Sequence, residues 1–301
     1  MRKWEILKKV LHKLGIRKYV SACCLTAVIV VLSLIACAGA PSTNDEDLTS
    51  EETEIQVFIA ASLHTVMEEL ADIYHEKHPE ITITYSTDSS GTLMNQIEEG
   101  FACDIFFSAA QKQMDQLEMD GFLLDKTRAN VVNNQVVVIT RKDSETYVTG
   151  LENLEAAENI ALAGGSVPVG KYTRQALVRL GILDEMDLPE EITTEQISKA
   201  LGGVEISEQP NVSSVLKAVA EGACEVGTIY YSDTYGYEDE VMILQRVSSD
   251  LTGDVIYPIA QIVNPEADDM QTQAAADFLA FVLSDEAKAV FEEYYFDTKV
   301  N

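Results

Sequence analysis

Apolar residues follow two alternating periods along most of the chain. Short runs rich in β-branched and aromatic residues predict strands at residues 55–60, 81–85, 103–108, 135–140, 160–163, 226–231 and 255–263. Apolar residues at helical spacing predict helices after Ser62, from residue 89, and at residues 111–119, 170–180, 213–221, 270–283 and 285–295. Strands alternating with helices predict an α/β fold with mixed, mainly parallel sheets flanked by helices. The patterned part from residue 54 exceeds one ordinary domain, so two lobes are expected.

The first 53 residues have a different pattern. Residues 1–19 are rich in Lys and Arg and precede an apolar stretch from residue 20 to residue 36. The stretch ends Leu34-Ile35-Ala36-Cys37, which resembles a bacterial lipobox and predicts a signal peptide at residues 1–36 with lipidation at Cys37. A transmembrane anchor is the alternative, because the apolar run nearly reaches the ~20 residues that a bilayer requires. Residues 37–53 are small, polar and acidic, which predicts a flexible tether.

Acidic residues dominate the charge. The chain has 21 Lys and Arg against 50 Asp and Glu, a formal net charge of −29. Residues 1–36 hold seven of the bases and one of the acids, so cleavage would leave a net charge near −35. Nucleic acid and anionic membrane surfaces are therefore disfavoured as partners. An anionic ligand would have to meet fixed local dipoles, with the carboxylates screened over ~8 Å at physiological salt.

Few residues offer other chemistry. Cys103 and Cys224 are the cysteines that follow the tether, and their apolar neighbours predict buried free thiols rather than a disulfide. Three histidines remain after cleavage, mostly in a polar segment, so a zinc receptor is disfavoured. Ser62 lacks the Gly-x-Ser-x-Gly context of a hydrolase nucleophile. No cofactor is expected.

Three strand-to-helix junctions carry small or hydroxyl residues. They are residues 60–63 (Ala-Ala-Ser-Leu), 89–93 (Ser-Ser-Gly-Thr-Leu) and 167–170 (Val-Pro-Val-Gly). Each places a helix N-terminus at the carboxyl end of a strand, where unpaired backbone N–H groups attract anions and where open α/β sheets bind ligands. Any one junction is also explained as an ordinary helix cap. Together they predict no more than a possible anion site.

At these junctions the sequence resembles the molybdate-binding protein family. The resemblance is carried in order by residues 57–63, 90–98, 103–114, 167–177, 227–233, 257–260 and 278–294, which is nearly everything after the tether. Two features depart from the family pattern: Val169 stands where alanine is common, and residues 164–166 (Gly-Gly-Ser) form a shortened loop without the usual acid. Both bear on cleft size and selectivity.

The resemblance implies a two-lobed periplasmic-binding-protein fold of type II, with a ligand cleft between the lobes. Residues 54–134 plus 259–301 are assigned to lobe I and residues 135–258 to lobe II, with residues 257–258 interpreted as a chain crossing. By position, the implied ligand contacts are the hydroxyl and N–H groups of Ser62 and Ser90, the N–H groups of Val169 and Val212, and the phenol of Tyr230. The implied partners are an ABC permease and its ATPase, with a monomeric protein lipid-anchored at the extracytoplasmic face of the cell membrane.

The implied contacts are all neutral donors. A fully deprotonated dianion offers only acceptors, so such a site suits molybdate, tungstate or sulfate, whereas phosphate keeps a proton that needs an acceptor. The first hypothesis is therefore a non-enzymatic receptor for molybdate or tungstate. The second is a receptor of the same fold for sulfate or a small organic anion, which an arginine among the contacts would favour; none is found. A secreted hydrolase that uses Ser62 is the third.

Overall fold

Two five-stranded sheets organise the protein, which is described at residues 52–300 of a computed structural model. The predicted signal peptide, Cys37 and nearly all of the tether lie outside the described residues. The strands are β1 (Thr53–Ala60), β2 (Ile81–Asp88), β3 (Ile105–Phe107), β4 (Ala129–Asn134), β5 (Val136–Arg141), β6 (Asn159–Ala163), β7 (Glu205–Gln209), β8 (Val226–Tyr230), β9 (Val241–Arg246) and β10 (Val255–Gln261). The helices are α1 (His64–Lys77), α2 (Ser90–Glu98), α3 (Gln111–Met119), α4 (Pro168–Arg179), α5 (Thr194–Ala200), α6 (Val212–Ala220), α7 (Ser249–Thr252), α8 (Asp269–Val282) and α9 (Asp285–Glu293).

The two sheets share one topology. The first has the order β2-β1-β3-β10-β4 and the second the order β7-β6-β8-β5-β9. In each, four strands run in one direction and one strand, β10 or β5, runs antiparallel to both of its neighbours, so both sheets are mixed, as expected. In the following, lobe I is the first sheet with its helices, and lobe II is the second sheet with its helices. This arrangement confirms the predicted two-lobed α/β fold.

Within residues 52–300 the chain crosses between the lobes twice. It leaves the first sheet after Asn134 and returns between Arg246 and Val255. Residues 255–258 therefore lie in the first sheet, although the sequence analysis assigned them to lobe II. Tyr257 and Pro258 are not a crossing; they are part of β10, where the register against β4 shifts at this pair. Tyr257 is fully buried.

Helices cover both faces of the first sheet. Phe58, Phe106 and Ala260 face a small apolar core with residues of α2 and α3, whereas Ile59 and Phe107 face the main core. Successive strand residues point to opposite faces, and both faces are covered, so these strands are nearly continuously apolar. Burying this apolar surface stabilises the sheet by roughly 25 cal/mol per Å².

The predicted state of the two cysteines is confirmed, since Cys103 and Cys224 are both buried and free. Burial also raises the pKa of the Cys103 thiol, so it stays protonated. Across residues 52–300, no helix combines the length and the apolar character needed to span a bilayer.

Candidate oxyanion site between the lobes

A cleft lies where strand ends of both sheets meet. It has a cavity volume of about 10 Å³ and is lined by Ala60, Ala61, Ser62, Ser89, Ser90, Ala109, Val167, Pro168, Val169, Val212 and Tyr230. The structure thus brings together all five residues implied as ligand contacts. Each of these five lies at or just after the carboxyl end of a strand, the edge at which open α/β sheets bind ligands. None of the described residues that line the cleft has a side chain charged at neutral pH.

Ser89 and Ser90 have different roles: Ser89 caps a helix, and Ser90 is the candidate ligand contact. Ser89 is the N-cap of α2, and its hydroxyl accepts from the N–H of Thr92 at 3.2 Å. Ser90 is the first residue of the helix and is fully buried, and its Oγ accepts from the N–H of Ala109 at 2.9 Å. Because that oxygen is held as an acceptor, the Ser90 hydroxyl proton remains available to a ligand. The cap and the candidate contact are therefore neighbouring residues.

Ser62 is held by a hydrogen-bond relay rather than used as a cap. Its Oγ lies 2.9 Å from the Oη of Tyr257, which accepts from the amide of Asn134 at 3.1 Å. The Oδ1 atom of Asn134 accepts from the N–H of Gln135, which fixes the orientation of the amide. Tyr257 already accepts one hydrogen bond, so its own proton is best directed to Ser62. The Ser62 hydroxyl proton is then free to donate into the cleft.

The phenol of Tyr230 is buried without a partner. Its side chain is 1% exposed, and Oη has no hydrogen-bond partner among the described residues. The ring of Tyr257 packs edge-on against it, with the centroids 5.8 Å apart. Burial, followed by the nearby phenols of Tyr257 and Tyr172, raises the pKa of Tyr230 well above its usual value. At neutral pH the phenol is therefore a neutral donor, and an unpaired buried polar group costs free energy until a partner meets it.

Helices α4 and α6 present their N-termini to the cleft. Val169 lies in the first turn of α4, directly after Pro168, and Val212 is the first residue of α6. N–H groups in a first helical turn have no intrahelical acceptor, and the helix dipole adds partial positive charge there. Asn211 caps α6 by accepting from the N–H of Ser214 at 2.9 Å, which leaves the Val212 amide free of that task.

A buried arginine stands behind α4. Arg174 is 1% exposed and donates to three backbone carbonyls: from Nε to Ile192 at 2.7 Å, and from Nη1 to Ala163 at 2.8 Å and to Gly170 at 2.9 Å. It therefore ties the end of β6 to the first turn of α4. Sequence reasoning missed this residue, because its partners are carbonyls and leave no signature in the sequence. Burial lowers the pKa of Arg174, although the charge of Glu208 opposes that effect.

The lobes touch beside the site. Asn211 Nδ2 of lobe II donates to Asp88 Oδ1 of lobe I at 3.3 Å. A Cβ atom at Gly91, in the first turn of α2, would lie 3.0 Å from the carbonyl oxygen of Ser166 in lobe II. Glycine therefore permits the close approach of the two backbones.

In the part of the chain that the structure describes, Ser62, His64 and Asp233 line one pocket, but the hydrogen bond of the Ser62 hydroxyl is to Tyr257. His64 lies 3.4 Å from Glu68 in the same helix, whereas the Ser62 hydroxyl contacts the phenol of Tyr257. A serine nucleophile requires a base within hydrogen-bond reach. The phenol of Tyr257, whose pKa burial raises well above its usual value, is not such a base.

Relatives of this chain are transport proteins. Over 278 residues it is 29% identical to the molybdate-binding protein ModA of Escherichia coli, covering 89% of this chain and 98% of that protein. It is also 29% identical over 273 residues to YvgL of Bacillus subtilis, assigned as an ABC transporter substrate-binding lipoprotein, covering 90% of this chain and 96% of that one. The periplasmic molybdate-binding protein of Azotobacter vinelandii superimposes with a TM-score of 0.66 at 20% identity, covering 80% of this chain and 98% of the other.

These similarities confirm the resemblance that the motifs indicated. The sequence model of one family, the bacterial extracellular solute-binding proteins, matches residues 55–297, which is nearly all of the described part. The chain therefore belongs to the family of bacterial extracellular solute-binding proteins.

Proposed function

We propose that this protein is a lipid-anchored, extracytoplasmic receptor that captures molybdate or tungstate and delivers it to an ABC permease. The single observation that supports this most strongly is the phenol of Tyr230, a neutral donor that is buried in the cleft without a partner. The neutral donors of the lining suit a ligand that offers only acceptors. The similarity of this chain to the E. coli molybdate-binding protein supports the choice of ligand.

Neutral donors explain how an acidic protein can bind a dianion. The hydroxyl protons of Ser62 and Ser90 and the amides of Val169 and Val212 supply directed partial charges, so no cationic side chain in the cleft lining has to be desolvated. Closure of the lobes excludes water, which strengthens each of these hydrogen bonds. Two carboxyl groups lie near the cleft: that of Asp88 accepts from the N–H of Ser89 at 2.7 Å, and that of Asp233 accepts from the N–H of Tyr230 at 2.8 Å.

Capture followed by delivery leaves the ligand chemically unchanged. The protein then acts as a monomeric binding component and is not an enzyme. Its partners in transport are the permease and the ATPase that drives it.

Calorimetric titration of residues 38–301 with molybdate, tungstate, sulfate and phosphate, at one pH and salt concentration, tests the ligand. Tight binding of the first two and little heat from the others is the expected result. Tighter binding of sulfate would transfer the proposal to a sulfate receptor. No heat from any of the four would move the ligand to the organic anions and contradict the proposal.

Lipidation at Cys37 is proposed from the sequence Leu34-Ile35-Ala36-Cys37 and is supported by the similarity to a lipoprotein of B. subtilis. Replacing Cys37 by serine should move the protein from the membrane fraction to the soluble fraction of a Gram-positive host, or leave it with an uncleaved signal. Cys23→Ser is the matched control and should stay with the membrane. Equal fractionation of both variants and the wild type, with the signal cleaved in all three, would contradict the assignment.

A further inference from the structure

One ion pair joins the two lobes outside the cleft. Lys112, on α3 of lobe I, places its Nζ atom 2.5 Å from Oε1 of Glu190, in a short 3₁₀ turn of lobe II (Pro189–Glu191). The Glu190 side chain is 12% exposed and that of Lys112 is 54% exposed. The other ion pairs between described residues lie within a single lobe.

The segment around Glu190 is fixed to the part of lobe II that carries Val169. A Cβ atom at Gly165 would lie 1.9 Å from the Glu190 carbonyl oxygen, so the turn rests directly on the loop before α4. Arg174 also donates to the carbonyls of Ile192, two residues after Glu190, and of Gly170, one residue after Val169. A force on Glu190 is therefore transmitted to the first turn of α4.

Lys112 is connected to the opposite side of the cleft. It is the second residue of α3, and Ala109 shortly before it donates its N–H to Ser90 Oγ at 2.9 Å. The ion pair therefore spans two contact groups of the candidate site, Ser90 in lobe I and Val169 in lobe II. It does so at residues separate from the two chain crossings, after Asn134 and before Val255.

The contact with Lys112 favours the ionised form of Glu190. Burial raises the pKa of its carboxyl group, but the hydrogen bond from Lys112 and the charge of Lys171 outweigh this and leave the pKa below its ordinary value. A surface ion pair adds little to the stability of a fold. A pair that forms only when two lobes meet acts wholly on the equilibrium between open and closed forms.

We infer that Lys112 and Glu190 are positioning residues that hold the cleft shut and thereby set the residence time of the ligand. The inference rests on the proposed function, because it requires a ligand bound between the lobes. Neither side chain lines the cleft, so both act through the two lobes and not on the ligand itself.

The test is a double-mutant cycle on dissociation. Lys112→Met, Glu190→Gln and their combination are compared with Lys77→Met, Glu286→Gln and their combination. Lys77 and Glu286 form a matched control, since they are also 2.5 Å apart but lie within lobe I and are half-exposed. Association and dissociation of molybdate are followed by stopped-flow tyrosine fluorescence, at low and at high salt.

Each single change at Lys112 or Glu190 should raise the dissociation rate about 3- to 5-fold, the upper part of the range of a surface ion pair. The double variant should match the singles, high salt should reduce the difference, and the control set should stay within twofold of the wild type. An unchanged dissociation rate, or additive effects in the double variant, would overturn the inference.

Failure of the proposed function can be told apart from failure of this inference. If the wild type binds no molybdate, the proposed ligand is wrong, and the ion pair is judged by X-ray scattering of the ligand-free proteins. Lys112→Met should then show a larger radius of gyration than both Lys77→Met and the wild type. Equal radii would overturn the role of the pair whatever the ligand is.

Discussion

Replacing Tyr230 by phenylalanine removes one oxygen atom and tests whether that atom is there for the ligand. The phenol is 1% exposed and has no partner among the described residues, so in the ligand-free protein little is lost with it. A hydrogen bond to a charged group contributes about 1.5–3 kcal/mol. At 1.4 kcal/mol per factor of ten, the variant should bind molybdate about 10- to 150-fold more weakly. Its unfolding free energy should equal or exceed that of the wild type, since an unsatisfied buried group is removed.

Tyr257→Phe is the control, because this phenol does have structural partners. Its loss removes the hydrogen bond of Ser62 Oγ and one of the two that Asn134 Nδ2 donates, the other going to Ser232 Oγ, so stability should fall by about 1–3 kcal/mol, together with affinity. Calorimetry measures the dissociation constants, and urea unfolding without ligand measures stability. Equal dissociation constants for Tyr230→Phe and the wild type, within a factor of two, would refute the role of the phenol. A stability loss as large as that of Tyr257→Phe would show that Tyr230 has a structural role instead.

Three further predictions concern the same region. Ser90→Ala should weaken molybdate binding by about 1–3 kcal/mol and also lower stability, because the N–H of Ala109 loses its acceptor. Ser89→Ala should lose only a helix cap, about 1 kcal/mol of stability. Calorimetry and urea unfolding separate the two effects, and equal molybdate affinities of Ser90→Ala and the wild type would remove Ser90 from the site. Gly91→Ala should lower affinity by about 1–3 kcal/mol and leave the melting temperature of the ligand-free protein nearly unchanged, because its Cβ meets a carbonyl of the opposite lobe at 3.0 Å; unaltered binding in a titration would show that the lobes need not approach so closely. Burial raises the pKa of Asp233 to about 7, above an unfolded value near 4, so the stability that this carboxyl group contributes is full below pH 4 and is lost as the pH rises to 7. Asp233→Asn should therefore have the melting temperature of the wild type in acid and a higher melting temperature above pH 7. A difference in melting temperature that does not vary with pH would contradict this.

The predicted elements were those with strong apolar periodicity. Helix α3 has the predicted bounds, and the buried strands β1, β5 and β8 lie within one or two residues of theirs. Three strands were missed, namely β4 (Ala129–Asn134), β7 (Glu205–Gln209) and β9 (Val241–Arg246). They lie at sheet edges, where one side faces solvent or another element, and their polar residues weaken the periodicity on which the prediction depends.

Some residues of the candidate site could likewise be predicted from the sequence, and others could not. Its donor-bearing junctions could be predicted because each is local, with a strand end followed by small or hydroxyl residues and a helix start. Asn134 and Arg174 could not, since their roles depend on partners that are distant in sequence or are backbone carbonyls. Tyr257 was misinterpreted for the same reason: its contact with Ser62 spans 195 residues. Local chemistry was visible in the sequence, and the groups that orient it became visible only in the fold.

A crystal structure of residues 38–301 grown with molybdate tests the central claim most directly, because anomalous scattering locates the molybdenum atom. The account predicts one strong peak in the cleft, with oxyanion oxygens within hydrogen-bond distance of the hydroxyl groups of Ser62, Ser90 and Tyr230 and of the amides of Val169 and Val212. A peak elsewhere on the protein, or an oxyanion held by lysine or arginine side chains, would contradict it.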